Sequence, residues 1–221
     1  MSTPPVDGKK ELEQLIIKNI PRDAFMACQD AYHAGDLQGR LQSVGFASGH
    51  KPSAAGQNKH FFTNETFHEA LQAHGASPTP LRGTRLVIGR IGVFNIVRLN
   101  VPGHQWTNLR RSTTRNKLAE LNYSIQQKYV QGDLFAAPRE VADGTIFILG
   151  VMDGIDVNGI SQLTQVMVAL PATDMRSWLY KNTMADFLKL YEQLDVTVQT
   201  DNALPKLKIQ PKKQTDDDQG N

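Results

Sequence analysis

Cysteine is almost missing from this chain: Cys28 is the only one in 221 residues. A single thiol rules out a disulfide framework and a cysteine-rich zinc site. Its neighbours Phe25, Met26 and Ala27 predict a buried, inert group. Long apolar runs are missing too. No stretch approaches the roughly 18 apolar residues of a membrane span, and the opening MSTPPVDGKKELEQ has no apolar signal core. A cytoplasmic protein with no membrane association is the expectation. There is no P-loop, GxGxxG or GxSxG elbow, so no cofactor is expected and no reaction is named by a motif.

Another scarcity is local. Residues 82–128 hold one acidic residue, Glu120, against nine basic ones: Arg82, Arg85, Arg90, Arg98, Arg110, Arg111, Arg115, Lys117 and Lys128. The stretch carries +8 in a chain whose net charge is +2, while residues 129–195 sum to −5. Such a patch attracts a polyanion locally. The competing reading is internal: the same arginines pair with the acidic C-terminal half across the fold.

Periodicity divides the chain into a loose, Pro-rich N-terminus (1–8), an N-terminal helical layer (9–76), an α+β core (77–195) and a disordered polar tail (196–221). In the layer, helices fit about 9–19 and 23–34, the second stopped by Gly35. Asp36 would cap a short third helix holding Leu37, Leu41 and Val44, and Thr63 or Asn64 would cap another carrying Phe67, Ala70 and Leu71. Residues 47–59 read as a polar loop. In the core, 85–89 and 92–101 read as two strands, or as one long strand bent at Gly89 and Gly92. Val97, Leu99 and Val101 alternate with Arg98 and Asn100, which predicts one wet, basic face. One helix fits 107–130, with Leu118, Leu121, Ile125 and Tyr129 as its stripe. Strands at 145–152 and 163–170 would be joined by a hairpin at Asn158-Gly159, and a helix fits 175–194. The expected fold is α+β in ββαββα order: a mostly antiparallel four-stranded sheet with helices on one face.

Several constellations fail on spacing. His68 and His74 are six residues apart, a rotation of about 600° on a helix, so they diverge and cannot chelate one zinc. Asp153, Asp156 and Asn158 lack the alternating calcium-loop pattern, and Thr164 stands where a bidentate Glu would be needed. No metal site is expected. A metal-dependent nuclease would need clustered carboxylates. Glu120, Asp133, Asp143, Asp153 and Asp156 are available, but Gln126-Gln127-Lys128, with the letters of a restriction-type core, falls on a predicted helix. The stretch around Leu118-Ala119 resembles a helix-turn-helix, but its uninterrupted stripe favours one helix.

The basic residues carry the sharper geometry. Arg111 and Arg115 share one helical row, and Arg110, Thr114 and Lys117 the next. Ser112, Thr113 and Thr114 add hydroxyls, with His104 and Trp106 just upstream. Arginine forks and hydroxyls near a helix start suit phosphate oxygens. A non-enzymatic nucleic-acid-associated binding protein is therefore expected, contacting DNA or RNA through Arg98, His104, Trp106, Arg110, Arg111, Arg115 and Lys117. The alternative is a protein–protein interaction module, either with an acidic protein partner or through a short peptide. Gln131-Gly132-Asp133-Leu134-Phe135 resembles the pentapeptide by which many bacterial replication and repair proteins bind the sliding clamp. The resemblance implies a partner-binding set of Gln131, Asp133, Leu134 and Phe135, in which Leu134 and Phe135 fill an apolar pocket of the clamp and Gln131 supplies an orienting amide. The competing role for Leu134 and Phe135 is packing into the core.

Overall fold

The computed structural model of the chain describes residues 6–103, 105–131 and 141–198. Three helices come first: α1 (Val6–Asn19), α2 (Arg22–Leu41) and α3 (Lys51–Ala73). Leu12, Ile16 and Ile20 repeat at helical spacing and are completely buried. Helix α2 does not stop at Gly35. Gly35, Asp36 and Gly39 continue the buried face begun by Phe25, Cys28 and Tyr32. A Cβ on Gly35 would lie 2.5 Å from Thr63 Cα, and one on Gly39 would lie 2.5 Å from Lys59 N. The two glycines therefore let the backbones of α2 and α3 approach closely. Helix α3 begins at Lys51 rather than at Thr63 or Asn64, with Pro52 tolerated in its first turn. Ala55, Lys59, Thr63, Phe67 and Leu71 fall every fourth residue on its buried side. The polar loop expected at 47–59 and the helix capped by Asp36 do not form, and Leu37, Leu41 and Val44 are exposed.

The class is α+β, but the sheet has five strands and is mixed. It contains β1 (Ile88–Ile91), β2 (Phe94–Pro102), β3 (Gly144–Ile155), β4 (Ser161–Pro171) and β5 (Trp178–Thr183), side by side in that order. Strands β2 and β3 run parallel, and the other neighbours are antiparallel. The expected four strands and ββαββα order are corrected on two counts. First, Trp178–Thr183 forms an edge strand where a helix was expected, and α6 (Met184–Val198) starts only after it. Second, a parallel neighbour requires a crossover. Here it is a 3-10 turn (Trp106–Arg111), α4 (Thr113–Glu120), α5 (Tyr123–Gln126) and a π-turn (Gln127–Gln131).

That crossover is not the single helix expected over 107–130, and the reason is packing. Leu109 and Ala119 bury against Val97, Leu99, Phe147 and Leu149 on one face of the sheet. Ile125 and Tyr129 join the core on the other face, with Ile96, Ile146 and Phe187. One straight helix cannot serve both cores. The chain bends at Asn122, whose buried amide donates to the carbonyls of Thr145 at 3.1 Å and Pro171 at 2.8 Å and accepts from the Thr145 N–H at 2.6 Å. Leu121, assigned to the helical stripe, is exposed.

Helices thus lie on both faces. Helices α1, α2, α3 and α6 cover the first, where Phe25 meets Phe187 edge-on at 4.9 Å between ring centres. The 3-10 turn and α4 cover the second. The wet face expected for β2 is absent because its two faces are both covered. Cys28 is buried as expected, and burial pushes its thiol up to about 12. Among the described residues, no helix is long and apolar enough to cross a membrane.

Candidate functional site

A cleft of about 570 Å³ opens on the α4 side of the sheet, between a loop wall and a helix wall. The loop wall is the segment leading into β1. Arg82 and Arg85 flank a tight turn in which the Arg85 N–H donates to the Arg82 carbonyl at 3.1 Å, and Gly83 takes φ +54°. Thr79 pins the segment: its hydroxyl donates to the Leu86 carbonyl at 3.1 Å and accepts from the Ile88 N–H at 3.1 Å. The helix wall is the start of α4. Ser112 caps it, its hydroxyl accepting from the Arg115 N–H at 3.4 Å. Thr114 and Arg115 complete this wall, and Pro80, Leu86 and Ile88 supply apolar surface.

Three arginines line the cleft and no carboxylate does. None of Arg82, Arg85 and Arg115 forms an ion pair among the described residues. The Nε of Arg115 is shut off from solvent and makes no hydrogen bond among the described residues. Burial holds the Arg115 guanidinium below its ordinary value. A neighbouring hollow of about 150 Å³, which Arg82 and Gly83 also line, contains Glu65.

Behind the loop wall stands Arg98, only 2% exposed on β2. It faces α3 rather than solvent. Its Nε donates to Asn64 Oδ1 at 2.7 Å, one terminal nitrogen to Asn100 Oδ1 at 3.0 Å, and the other to His60 Nδ1 at 2.8 Å and the His60 carbonyl at 3.0 Å. Burial, with Arg98 beside it, holds the His60 pKa below its ordinary value. The Asn64 amide in turn reaches the Arg85 carbonyl at 3.4 Å. Arg98 is therefore no surface contact. It braces the turn that carries Arg82 and Arg85.

The other expected residues are distributed as follows. Arg110 and Arg111 end the 3-10 turn immediately before Ser112 and are exposed, as is Lys117 on α4. Trp106 is half-buried, 6.1 Å from Trp178 edge-on, with Lys181 Nζ 4.9 Å from its ring centre. Its ring thus anchors the 3-10 turn against β5. His104, Asp133, Leu134 and Phe135 lie outside the described residues, and Gln131 closes the π-turn. Among the carboxylates, Asp143 pairs with Arg90 at 2.7 Å, Asp156 with Arg40 at 3.5 Å, Asp174 with Arg176 at 3.9 Å and Asp186 with Lys189 at 2.6 Å. Among the described residues, no group of three or more acidic, histidine or cysteine side chains could hold a metal ion. Asp156 instead organises the hairpin, its carboxylate accepting from the N–H groups of Asn158 and Ile160.

Arg82 and Arg85 belong to the basic run but not to the site expected from helical rows. The signal is local: a glycine between two arginines, Arg82-Gly83-Thr84-Arg85, one residue after the rigid stretch 78–80. No family model, curated protein or solved structure matches this chain.

Proposed function

We propose that the protein is a non-enzymatic nucleic-acid-associated binding protein that takes phosphate in the cleft between the turn at 82–85 and the start of α4. The observation that carries this reading is the absence of ion-pair partners for Arg82, Arg85, Arg110, Arg111, Arg115 and Lys117 among the described residues, while Asp156, Asp174 and Asp186 are engaged by Arg40, Arg176 and Lys189. Pairing of the basic stretch with the acidic C-terminal half is confined, among the described ion pairs, to Arg90 with Asp143. Guanidinium forks and hydroxyls are the groups that bind phosphate oxygens, and the start of α4 presents backbone N–H groups of the same polarity.

The test is a titration of DNA and RNA oligonucleotides at increasing salt. Engagement of about six phosphates weakens affinity on the order of a thousandfold between roughly 50 and 200 mM salt. A flat response, or no binding at the low-salt end, removes the reading.

A further inference from the structure

We infer that the cleft holds a terminal phosphomonoester, the phosphorylated end of a strand, rather than internal phosphodiesters along its length. The inference rests on the phosphate-binding reading above and narrows its ligand. The first argument is charge. An internal phosphodiester carries a single negative charge, whereas a terminal phosphate carries about 1.5 to 2 at neutral pH. Arg82, Arg85 and Arg115 line one cleft with no carboxylate among them. Three arginines lining one cleft match the more highly charged group. A backbone track would instead spread single cations along a groove.

The second argument is hydrogen-bond capacity. Arg115 lines the cleft and its Nε makes no hydrogen bond to other described residues, so none of these residues competes there with a phosphate for the guanidinium. Ser112 Oγ accepts from the Arg115 N–H and keeps its own proton to donate. Thr84 and Thr114 line the same space with no bond to other described residues. Thr79 is committed to Leu86 and Ile88 and contributes nothing further. A terminal phosphate offers three oxygens that can each accept from more than one donor.

The third argument is size. About 570 Å³ lies within the ~300 to 1,000 Å³ typical of small-ligand sites. It accommodates one nucleotide with its sugar or base edge against Pro80, Leu86 and Ile88.

The experiment compares short single strands of one sequence carrying a 5′-phosphate, a 3′-phosphate or hydroxyls at both ends, with pyrophosphate as competitor. At least one phosphorylated end is expected to bind roughly tenfold or more tightly than the hydroxyl-ended strand, with pyrophosphate abolishing the difference. Arg82→Ala and Arg85→Ala, both at exposed positions, should erase the preference while leaving the melting temperature unchanged. Equal affinity for all three strands overturns the inference and leaves the phosphate-binding reading standing. Failure of all three strands to bind at low salt overturns both, and so does capture of pyrophosphate alone. A preference that survives both substitutions places the phosphate elsewhere and also overturns the inference.

Discussion

On the face of the sheet covered by α1, α2, α3 and α6, the three buried charged side chains, Asp36, Lys59 and Arg98, each have close partners. On the face covered by α4, Arg82, Arg85 and Arg115 have no acidic partner among the described residues. Asp36 takes Arg40 at 2.9 Å and Lys59 at 3.4 Å, and Arg40 continues to Asp156. Lys59 also donates to the carbonyl of Ser161 and, at 3.0 Å, to its hydroxyl. Arg98 is met entirely by neutral acceptors. A charge removed from water must be matched or it destabilises the fold. On the first face Asp36 and Lys59 are matched by opposite charge and Arg98 by hydrogen bonds to neutral acceptors, all within the protein. The second leaves its charges at a cleft, where an outside ligand can do the matching.

The largest expected effect breaks the matched side. Asp36→Asn strips the central charge from the network and should lower stability by about 3–5 kcal/mol in urea unfolding. Replacing the pair with apolar groups, Asp36→Leu with Lys59→Met, should recover much of that loss. No recovery would mean that the network sets the geometry of the α2–α3 contact as well as balancing charge. On the unmatched side the effect should fall on binding. Arg115→Ala should weaken oligonucleotide affinity roughly tenfold, the loss of one charge-assisted contact, and change stability by less than about 0.5 kcal/mol. A large stability loss there would mark Arg115 as a structural residue and remove the contrast between the faces.

The smallest effect concerns pH. His60 Nδ1 accepts from Arg98, and Asn64 Nδ2 and the Phe61 ring also face the imidazole. Its pKa in the folded protein lies below the ordinary 6.5. The unfolded chain therefore binds the proton first as pH falls. Stability conferred by neutral His60 is fully present above about 6.5. It declines as pH drops from there toward the folded value. Melting temperatures between pH 7.5 and 5 should fall, and His60→Gln should flatten part of that slope. An unchanged slope in the variant would assign the pH dependence to carboxylates instead.

The sequence was legible where one apolar stripe faces one core, and illegible where polar residues face inward. The β3–β4 hairpin was recognised because Ile146, Ile148, Val166 and Val168 are uniformly buried and Gly159 takes a positive φ at the turn. Helix α3 reads as shorter than it is because Lys59, Thr63 and Asn64 occupy its buried side. Helix α2 reads as shorter because Gly35 resembles a stop, whereas it is a point of contact with α3. Strand β5 reads as helix because Trp178 and Leu179 fit the stripe of α6. The better signal was the pair Thr183 and Asp186, whose mutual hydrogen bonds fix the helix start. The break at Asn122 had no apolar signature, since a polar side chain satisfies the strand ends there. Of the candidate site, Arg115 and its neighbouring hydroxyls were read from helical spacing. Arg82 and Arg85 join them only through the turn at 82–85, a tertiary approach that no periodicity encodes.

The loop wall of the cleft hangs from β1, a four-residue strand whose one sheet neighbour among the described residues is β2. The helix wall is fastened to the opposite side of the domain by the crossover and Asn122. The two walls therefore belong to parts of very different tenacity. Detaching β1 would break its hydrogen bonds to β2 and the Arg90–Asp143 pair and expose Val87, Ile88 and Ile91, while the buried aromatic cluster around Phe187 lies on other elements. A group clasped by both would act as a stitch across that seam, tying the β1 edge of the sheet to the crossover.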